Sequence, residues 1–454
     1  MPRPKPMSGF PEFLPSDRIV EQHLLDSLRA TFELHGFASL ETRALEPLEQ
    51  LARKGDIDKE IYVVRRLQAA DLEDGPAAST PDTLGLHFDL TVPFARYVLE
   101  NSGHLSFPFR RYKIQKAWRG ERPQDGRYRE FTQADIDIVG DGRLADHHDI
   151  EAAVVLLEAM ERLHVDLGLP PVLMRVNNRK LSEGFYRGLG IADPAGVLQR
   201  VDKFDKIGPD RVRGLLVDDL GLDDTVARRC VALAEISSAD ASFVDRVRAL
   251  GVADPLLDEG LELLSGVVAA AAAQVPGRMV ADLKIARGLD YYTGTVYETE
   301  LIGDRGLGSV SSGGRYDSLA SDGTTTYPGV GLSLGVSRIL VPLLGRGVLS
   351  ASRPVPTCAL VALDAEENRP AALALAAGLR SRGIATEVAP VAERVGKQIR
   401  STNRRGIPFV WFGVGGETEV KDIRSGDQAP ADPASWQPPV EDLKPHVVSS
   451  AGPG

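Results

Sequence analysis

Basic side chains are concentrated between Arg110 and Arg129, where eight of them accompany two acidic residues. The basic residues are Arg110, Arg111, Lys113, Lys116, Arg119, Arg122, Arg127 and Arg129. A guanidinium donates two parallel, charge-assisted hydrogen bonds, which suits phosphate and carboxylate groups. A charge run is equally typical of a solvated surface, so the run alone does not decide between the two. The polar residues that follow at alternate positions, Gln133, Asp135 and Asp137, favour a site for an anion together with an ammonium or an imidazole.

A second group of functional side chains lies at residues 287–292 (RGLDYY), with one cation, one carboxylate and two phenols within six positions. A tyrosine pair buried beside an acid is the commoner explanation of such a group, because tyrosine is usually structural. Glycine-rich segments lie on either side of Arg315, in SSGGRYD and PGVGLSLGVSR. They indicate either close packing of strands or room for a flat base. Arg338, which follows them, has two interpretations: a phosphate contact or a surface cap.

Three familiar motifs are weighed and rejected. Residues 331–335 (GLSLG) match the nucleophile elbow of α/β-hydrolases, but the one later histidine is His446, in a proline-rich stretch. No P-loop sequence occurs, so a bound nucleotide is expected to be held by arginines. Residues 146–149 (DHHD) contain adjacent histidines, which point in different directions on a helix. We therefore expect a solvated helix face there and predict no metal site.

The composition limits the class of protein. The 454 residues include 64 Asp and Glu against 53 Lys and Arg, a net charge of −11, so nucleic acid must be contacted through local basic patches. Cys230 and Cys358 are the two cysteines, which excludes a disulfide framework and fits a reducing cytosol. The longest apolar run is far shorter than the ~18 residues that a membrane span needs. We expect a cytoplasmic enzyme that does not enter a membrane.

Hydrophobic periodicity predicts the elements that position these groups. Residues 107–140 alternate with period two around the turn dipeptide Asp125-Gly126, which predicts an antiparallel hairpin with an arginine-rich loop. Residues of about 180–275 are helical in periodicity, as expected for a helical insertion in a first domain of residues 1–350. Residues 355–426 alternate strand and helix, which predicts a small α/β domain. The proline-rich residues 427–454 are expected to form a loosely ordered tail.

Several blocks of the sequence, in the same order, resemble the histidyl-tRNA synthetases, a family of class II aminoacyl-tRNA synthetases. The blocks are residues 36–48, similar to motif 1; 88–97 (FDLTVPFARY), similar to the amino-acid-binding strand; 118–131 (WRGERPQDGRYREF), similar to motif 2; 287–292 and 311–317, similar to the two histidine-specific signatures; and 329–340, similar to motif 3. The resemblance therefore covers nearly the whole chain.

The resemblance implies an architecture and a reaction. The expected fold is an α+β catalytic domain with a six-stranded antiparallel class II sheet and a helical insertion, followed by a C-terminal α/β anticodon-binding domain. A homodimer, in contact through motif 1, is also implied. The implied reaction uses ATP to join L-histidine to its cognate tRNA through histidyl-adenylate, with magnesium shielding the phosphates. L-histidine, ATP and the tRNA for histidine are thus the expected ligands.

The resemblance also implies roles for individual residues. Arg119 and Arg287 are the expected catalytic residues, which hold the α-phosphate of ATP as it is attacked. The residues expected to bind histidine are Asp89, Leu90, Thr91, Arg119, Gln133, Asp137, Arg287, Tyr291 and Tyr292. The residues expected to contact ATP are Arg119, Glu121, Arg127 and Arg338.

Within the histidine group, the resemblance separates two ends of the ligand. Asp89, Thr91 and Gln133 fit the ammonium and carboxylate. Asp137 and Tyr292 fit the imidazole, which in neutral form presents one N–H donor and one acceptor. Many bacterial relatives have glutamate at the position of Asp89, so this chain departs from them there and resembles eukaryotic-type members.

Contacts with tRNA are expected at two places. The residues are Gln124 and Arg129 in the hairpin loop, and Arg394, Lys397, Arg400, Arg404 and Arg405 in the C-terminal domain. Without the resemblance, a solvated helix face would explain the C-terminal group about equally well.

The alternative function is a paralogue that binds histidine without aminoacylation, of the type found as the regulatory subunit of ATP phosphoribosyltransferase. Such subunits usually lack the anticodon domain and lose the arginine signature. This chain keeps residues 357–426 and both Arg119 and Arg287, which favours the synthetase.

Overall fold

The structure is a computed structural model that describes residues 4–51, 60–65, 83–286, 291–321 and 323–450. The chain forms two compact units. The first unit comprises Met1–Pro11 and Ser27–Pro342, and the second comprises Glu12–Asp26 and Leu343–Gly454.

Strands of the first unit form a nine-stranded sheet and a three-stranded sheet among the described residues. In chain order the strands are β1 (Ala38–Ser39), β2 (Leu45–Pro47), β3 (Val63–Val64), β4 (Leu84–Leu86), β5 (Phe109–Trp118), β6 (Glu130–Val139), β7 (Val172–Asn178), β8 (Ser237–Ser238), β9 (Met279–Asp282), β10 (Thr295–Leu301), β11 (Ser309–Tyr316) and β12 (Gly329–Gly335). The large sheet has the order β1-β5-β6-β12-β11-β10-β7-β9-β8, and the small sheet has the order β2-β4-β3.

The six central strands of the large sheet, from β5 to β7, pair antiparallel at every step. This arrangement confirms the predicted class II type of sheet. The short strands β1 and β9 extend it by parallel pairing, and β8 pairs antiparallel with β9 at its end. The structure therefore adds three edge strands to the six that the resemblance implied.

In chain order, the helices up to residue 345 are α1 (Pro15–Leu34), α2 (Leu48–Leu51), α3 (Thr91–Asn101), α4 (His147–Leu167), α5 (Arg179–Gly188), α6 (Pro194–Val201), α7 (Phe204–Ile207), α8 (Pro209–Asp218), α9 (Asp224–Ala234), α10 (Phe243–Ala249), α11 (Pro255–Gln274) and α12 (Val336–Gly345). Helices α4, α5 and α11 contact strands of the large sheet. In the sequence, helices α5 to α11 lie between β7 and β9, with the two-residue strand β8 between α9 and α10. Within the described residues no helix is long and apolar enough to cross a membrane.

The hairpin of β5 and β6 carries the central polar residues of the unit. Its register sets Lys113 opposite Asp135 and Arg111 opposite Asp137. The turn contains Gly126 in the left-handed region at φ +71°, where glycine is favoured, as the Asp-Gly dipeptide predicts. The polar face of β6 is as deeply buried as its apolar face, because other strands and side chains close over it. These polar residues must therefore find partners inside the protein.

The second unit contains a five-stranded sheet with helices beside it. Its strands are β13 (Leu349–Ala351), β14 (Ala359–Val361), β15 (Thr386–Val388), β16 (Phe409–Phe412), β17 (Glu419–Asp422), β18 (Gln428–Pro430) and β19 (Val447–Ser449), and its further helices are α13 (Arg369–Ser381), α14 (Val395–Arg404) and α15 (Val440–Leu443). The sheet order is β15-β14-β16-β17-β18, with β14 parallel to both neighbours. The predicted α/β alternation with parallel pairing is confirmed; the domain boundaries stay predictions.

The C-terminal stretch departs from its prediction as a loosely ordered tail. The Trp436 ring lies 5.3 Å from that of the fully buried Trp411, and β19 pairs with β13. Arg424 binds both carboxylate oxygens of Asp442 at 2.8 and 2.7 Å. The proline content gave no sign of these contacts, in which one aromatic ring and one ion pair to a buried carboxylate hold an otherwise irregular segment.

Candidate active site

A cavity of about 450 Å³ lies beside β6, β11 and β12 in the first unit. Its lining brings together five of the predicted site residues, namely Arg119, Glu121, Arg127, Gln133 and Arg338. Lys206 of α7 also lines the cavity; it was not predicted, because nothing in its helical segment indicates a site. Three arginines around one cavity make it suited to a polyanionic ligand such as a nucleotide triphosphate.

Arg119 follows β5 and is held at the cavity by its own strand and a neighbouring carbonyl. Its Nε donates to the Phe88 carbonyl at 3.0 Å, and its guanidinium carbon lies 5.2 Å from the centroid of the Phe131 ring. Stacking on an aromatic ring orients a guanidinium while it leaves other N–H groups for a ligand. The geometry suits the predicted contact with a phosphate.

Glu121 lies between two arginines at the same cavity. Its carboxylate is 3.7 Å from Arg119 Nη1 and 3.4 Å from Arg127 Nη1. Across the cavity, Arg338 donates through Nε and Nη2 to the Leu307 carbonyl at 2.9 and 2.5 Å, which holds its guanidinium in place. These contacts order the cavity rim before any ligand arrives.

A narrow recess adjoins the cavity and contains the predicted imidazole residues. Its lining includes Thr91, Asp137, Tyr292 and Tyr316, and it shares Ser333 with the larger cavity. Tyr316 donates its hydroxyl to Asp137 Oδ1 at 2.7 Å. Tyr316 is not among the predicted site residues, although it lies in the 311–317 block that resembles a histidine-specific signature.

Two glycines make room for this recess. A Cβ at position 331 would lie 2.1 Å from Asp137 Oδ1, and a Cβ at position 329 would lie 2.6 Å from the Tyr316 ring. Both distances are far below van der Waals contact, so the glycines permit close approach of side chains on adjacent strands. The glycine-rich segments were explained either by close packing of strands or by room for a flat base. For Gly329 and Gly331 the structure supports close packing.

Buried charges of both signs surround the recess. Arg111 Nη2 lies 2.5 Å from Asp137 Oδ2, and the Lys113 ammonium donates to the Thr42 hydroxyl. Burial lowers the pKa of Lys113 to about 7 and raises the pKa of Asp135 to about 7. The low polarity of the site thus disfavours both charged forms, and each gains from a partner of opposite charge.

Asp89 and Leu90 lie at the start of α3. Asp89 is 5% exposed, and its Oδ1 accepts a hydrogen bond from the Val92 backbone at 3.1 Å. Leu90 is fully buried, so its side chain packs in the interior. Asp89 therefore stabilises the start of α3. Burial is the main cause of the raised pKa of Asp135, and the negative charges of Asp137 and Asp89 raise it further.

Of the signature at residues 287–292, the structure describes the two tyrosines. Arg287 and Asp290 lie outside the described residues, whereas Tyr291 and Tyr292 are described. The two tyrosine rings have centroids 4.2 Å apart, and burial raises the pKa of Tyr291. The carboxylates of Asp89, Asp135 and Asp137 add to that shift. The tyrosine pair therefore packs beside the acidic recess, and the role of Arg287 stays a prediction.

The predicted tRNA residues have different surroundings. In the second unit Arg394, Lys397, Arg400 and Arg404 are exposed on or beside α14. Arg405 instead makes two hydrogen bonds to Glu387, at 2.8 and 2.6 Å, so part of its charge is compensated within the protein. In the first unit Gln124 is exposed, and Arg129 donates to the Glu121 carbonyl at 3.1 Å.

Of the paired histidines at the start of α4, His147 is exposed as predicted, whereas His148 is buried and departs from the predicted solvated face. His148 is 5% exposed, and its Nδ1 lies 2.9 Å from Glu151. Possible metal ligand atoms of His147, His148 and Glu151 all lie within 4.8 Å of one another. Glu151 also pairs with Arg110, so both of its oxygens already have partners. The orientation of His148 therefore depends on its contact with Glu151 inside the unit as well as on its position on the helix.

Acid should destabilise the fold through His148. Burial, with positive charge nearby, lowers its pKa from 6.5 to about 4. Between those values the unfolded chain binds more protons than the folded protein, so stability falls as the pH falls through this window. We expect the stability advantage of the wild type over His148→Gln to shrink between about pH 8 and about pH 5. Urea unfolding at both pH values checks this, and a constant difference would contradict it.

Comparisons with known proteins agree with this geometry. The family model described as "Histidyl-tRNA synthetase" matches residues 9–339, and that described as "Anticodon binding domain" matches residues 357–425. A "Histidine--tRNA ligase" of Cutibacterium acnes is 66% identical over 99% of this chain and 100% of the relative. The protein of the same name in Micrococcus luteus is 57% identical, over 99% of each chain.

A solved structure shares the fold. The crystal structure of histidyl-tRNA synthetase from Nostoc sp. PCC 7120 superposes with a TM-score of 0.82 at 32% identity, over 94% of this chain and 96% of that one. Together with the arginine-lined cavity and its acidic recess, these matches show that the chain belongs to the histidyl-tRNA synthetase family.

Proposed function

We propose that the protein uses ATP to join L-histidine to its cognate tRNA through a histidyl-adenylate. The observation that carries the proposal is the junction of two compartments through Ser333: a cavity with three arginines and a recess with carboxylates and tyrosines. The cavity suits a triphosphate, and the recess suits a small ligand with an ammonium and an imidazole. Amino-acid activation is a reaction that joins a nucleoside triphosphate with such a small ligand.

Activation requires in-line attack on phosphorus. A carboxylate oxygen of histidine attacks the α-phosphorus of ATP, the bond to the bridging oxygen breaks, and pyrophosphate leaves. Arg119, with Arg287 as its predicted partner, offsets the charge on the α-phosphate oxygens. The protein supplies position and electrostatics and forms no covalent intermediate. The 3′-terminal ribose hydroxyl of tRNA then attacks the adenylate carbonyl, and AMP leaves.

The recess selects the amino acid. Asp137 faces the imidazole with Tyr292, while the Tyr316 hydroxyl and Arg111 hold the Asp137 carboxylate in place. Asp89, Thr91 and Gln133 take the ammonium and carboxylate. A site whose buried polar groups are paired by the ligand rejects analogues that lack those groups by ~10⁴ to 10⁵. Histidine is thus distinguished without a separate editing site.

The remaining cavity residues bind the nucleotide. Glu121 and Arg127 contact the nucleotide from the hairpin, and Arg338 contacts its γ-phosphate end. A magnesium ion fits this donor set, because Mg²⁺ is commonly held by one or two carboxylates together with substrate phosphates. Glu121 is the residue that would hold it. When bound, the ion would shield the charge of the phosphates.

The protein acts as a cytoplasmic homodimer in this proposal. Two observations support a dimer interface near residues 36–48. The small sheet leaves Val63 and Leu84 exposed by 44% and 37%. In strand β2 of the same sheet, the fully buried Glu46 binds Arg96 at 2.8 Å, which anchors this segment. Exposed apolar side chains on a rigid sheet are typical of subunit contacts.

Arginines of α14 contact the tRNA in this proposal. Replacing both Arg400 and Arg404 with alanine is expected to raise the KM for tRNA about tenfold, because each lost phosphate contact removes favourable counterion release. The slope of log affinity against log salt should become shallower by about 0.7 to 0.9 for each contact. Pyrophosphate exchange, which needs no tRNA, is the internal control. An unchanged salt slope would count against this surface.

Pyrophosphate exchange with each amino acid tests the proposal itself. We expect exchange of label between pyrophosphate and ATP with L-histidine alone. Histidine binding without exchange would contradict this function and indicate the alternative, a regulatory paralogue that binds histidine without aminoacylation. Exchange with another amino acid would contradict the assignment of the recess.

A further inference from the structure

We propose that Ser333 and Asp135 are positioning residues that fix the side-chain amide of Gln133, so that its carbonyl oxygen accepts a hydrogen bond from the ammonium group of the amino-acid substrate. The inference rests on the proposed binding of histidine in this site. It gives a role to a serine that the rejected nucleophile-elbow interpretation left without one.

Three side chains on adjacent strands form one chain of hydrogen bonds. Gln133 donates through Nε2 to Ser333 Oγ, and Ser333 donates to Asp135 Oδ1 at 2.5 Å. The antiparallel register of β6 and β12 sets Ser333 directly opposite Asp135. Gln133 is two residues from Asp135 on the same face of β6, so the serine hydroxyl lies within reach of both.

The direction of these bonds follows from the proton inventory. Ser333 donates its single hydroxyl proton to Asp135, whose carboxylate in its ionised form can only accept hydrogen bonds. Its oxygen can then only accept, and Gln133 must present its NH₂ group. The amide orientation is thereby determined by the network and not by the similar shapes of its O and N atoms. The carbonyl oxygen of Gln133 takes no part in these two hydrogen bonds.

That carbonyl oxygen is the part of the network that needs a ligand. Gln133 is 7% exposed, and within the described residues its Oε1 has no hydrogen-bond partner. A buried acceptor without a donor is costly, and binding a donor would remove this cost. Gln133 lines the larger cavity while Ser333 and Asp135 line the recess, so the acceptor lies where the two compartments meet.

The surrounding charge favours a cationic donor at this place. The recess region holds the buried carboxylates of Asp89, Asp135 and Asp137 with the buried cations Arg111 and Lys113. With all five ionised, negative charge is in excess by one. An ammonium group would both neutralise the excess charge and donate a hydrogen bond to Gln133. A neutral hydroxyl would donate the hydrogen bond but leave the charge uncompensated. The combined site therefore fits a primary ammonium.

Ser333→Ala tests the network. We expect the dissociation constant of L-histidine, measured by calorimetry on the full chain, to rise about tenfold because the amide can now turn freely. The KM for ATP should change less than the dissociation constant of L-histidine, since Ser333 is proposed to act on the ammonium contact of Gln133. Imidazole-propionate, which lacks the ammonium, should bind wild type and variant alike. Equal weakening of both ligands would overturn the inference, because it would indicate a general change of shape.

Further variants separate this inference from the proposed function. Ser333→Thr keeps the hydroxyl and should recover most of the affinity, while Ser318→Ala, an exposed serine of the loop after β11, controls for loss of a hydroxyl. Gln133→Ala should weaken histidine binding, and adding Ser333→Ala to it should weaken binding no further. If the losses of histidine affinity add, or if Gln133→Ala weakens binding and Ser333→Ala does not, the positioning of Gln133 by Ser333 is overturned and the proposed function is not. No loss for Gln133→Ala would overturn its proposed contact with histidine.

Discussion

Replacing Arg119 with alanine is expected to lower the rate of histidine-dependent pyrophosphate exchange by about 10²- to 10³-fold. Arg119 is held beside the cavity by the Phe88 carbonyl and the Phe131 ring, and its remaining N–H groups are the proposed donors to the α-phosphate. Charge develops on that phosphate as the carboxylate attacks, so the contact strengthens in the transition state. The loss should therefore appear in kcat and in kcat/KM, with a smaller change in the KM for ATP.

Two variants control for this result. Arg119→Lys keeps the charge but loses the planar fork, so it should recover a minor part of the rate. Arg122→Ala removes an exposed arginine of the same loop and should leave exchange near wild type. If Arg119→Ala folds normally and exchanges at the wild-type rate, Arg119 does not stabilise the transition state.

Replacing Gly331 with alanine should have the second largest effect, a fall of about 10²-fold in kcat/KM for histidine. The added Cβ would lie 2.1 Å from Asp137 Oδ1, and Asp137 cannot yield easily because Tyr316 and Arg111 both hold it. The carboxylate must move, and a displacement of about 1 Å at a binding group is enough for a loss of this size.

Gly345→Ala is the matched control for that variant. Its Cβ would meet nothing within 4 Å, so the substitution should preserve activity. Steady-state kinetics and thermal unfolding of both variants separate a displaced Asp137 from a destabilised sheet. Normal histidine kinetics for Gly331→Ala would contradict the close approach of these two strands.

Periodicity and local chemistry predicted most of the architecture. The alternation of FTQADIDIVG and the Asp125-Gly126 turn are local signals, and the hairpin they predict is present. Parallel pairing in the second unit also follows from the alternation of strands and helices. The edge strands β1, β8 and β9 have two to four residues each, too few for a periodic pattern to be recognised.

Partners distant along the chain explain what the sequence analysis missed. Tyr316 reaches Asp137 across two strand pairings, and Ser333 reaches Gln133 over 200 residues of sequence, so neither contact leaves a local pattern. The burial of His148 and the pairing of Arg405 with Glu387 likewise depend on the folded surroundings. Residue type and spacing selected the site residues, whereas the contacts that orient them required the fold.

The most direct test of the account is a crystal structure of the protein with a non-hydrolysable histidyl-adenylate analogue. We predict that the group replacing the α-phosphate lies within hydrogen-bonding distance of Arg119 and of Arg287. The imidazole should occupy the recess against Asp137, beside Tyr292. An imidazole outside that recess, or a phosphate mimic bound away from Arg119, would contradict the account.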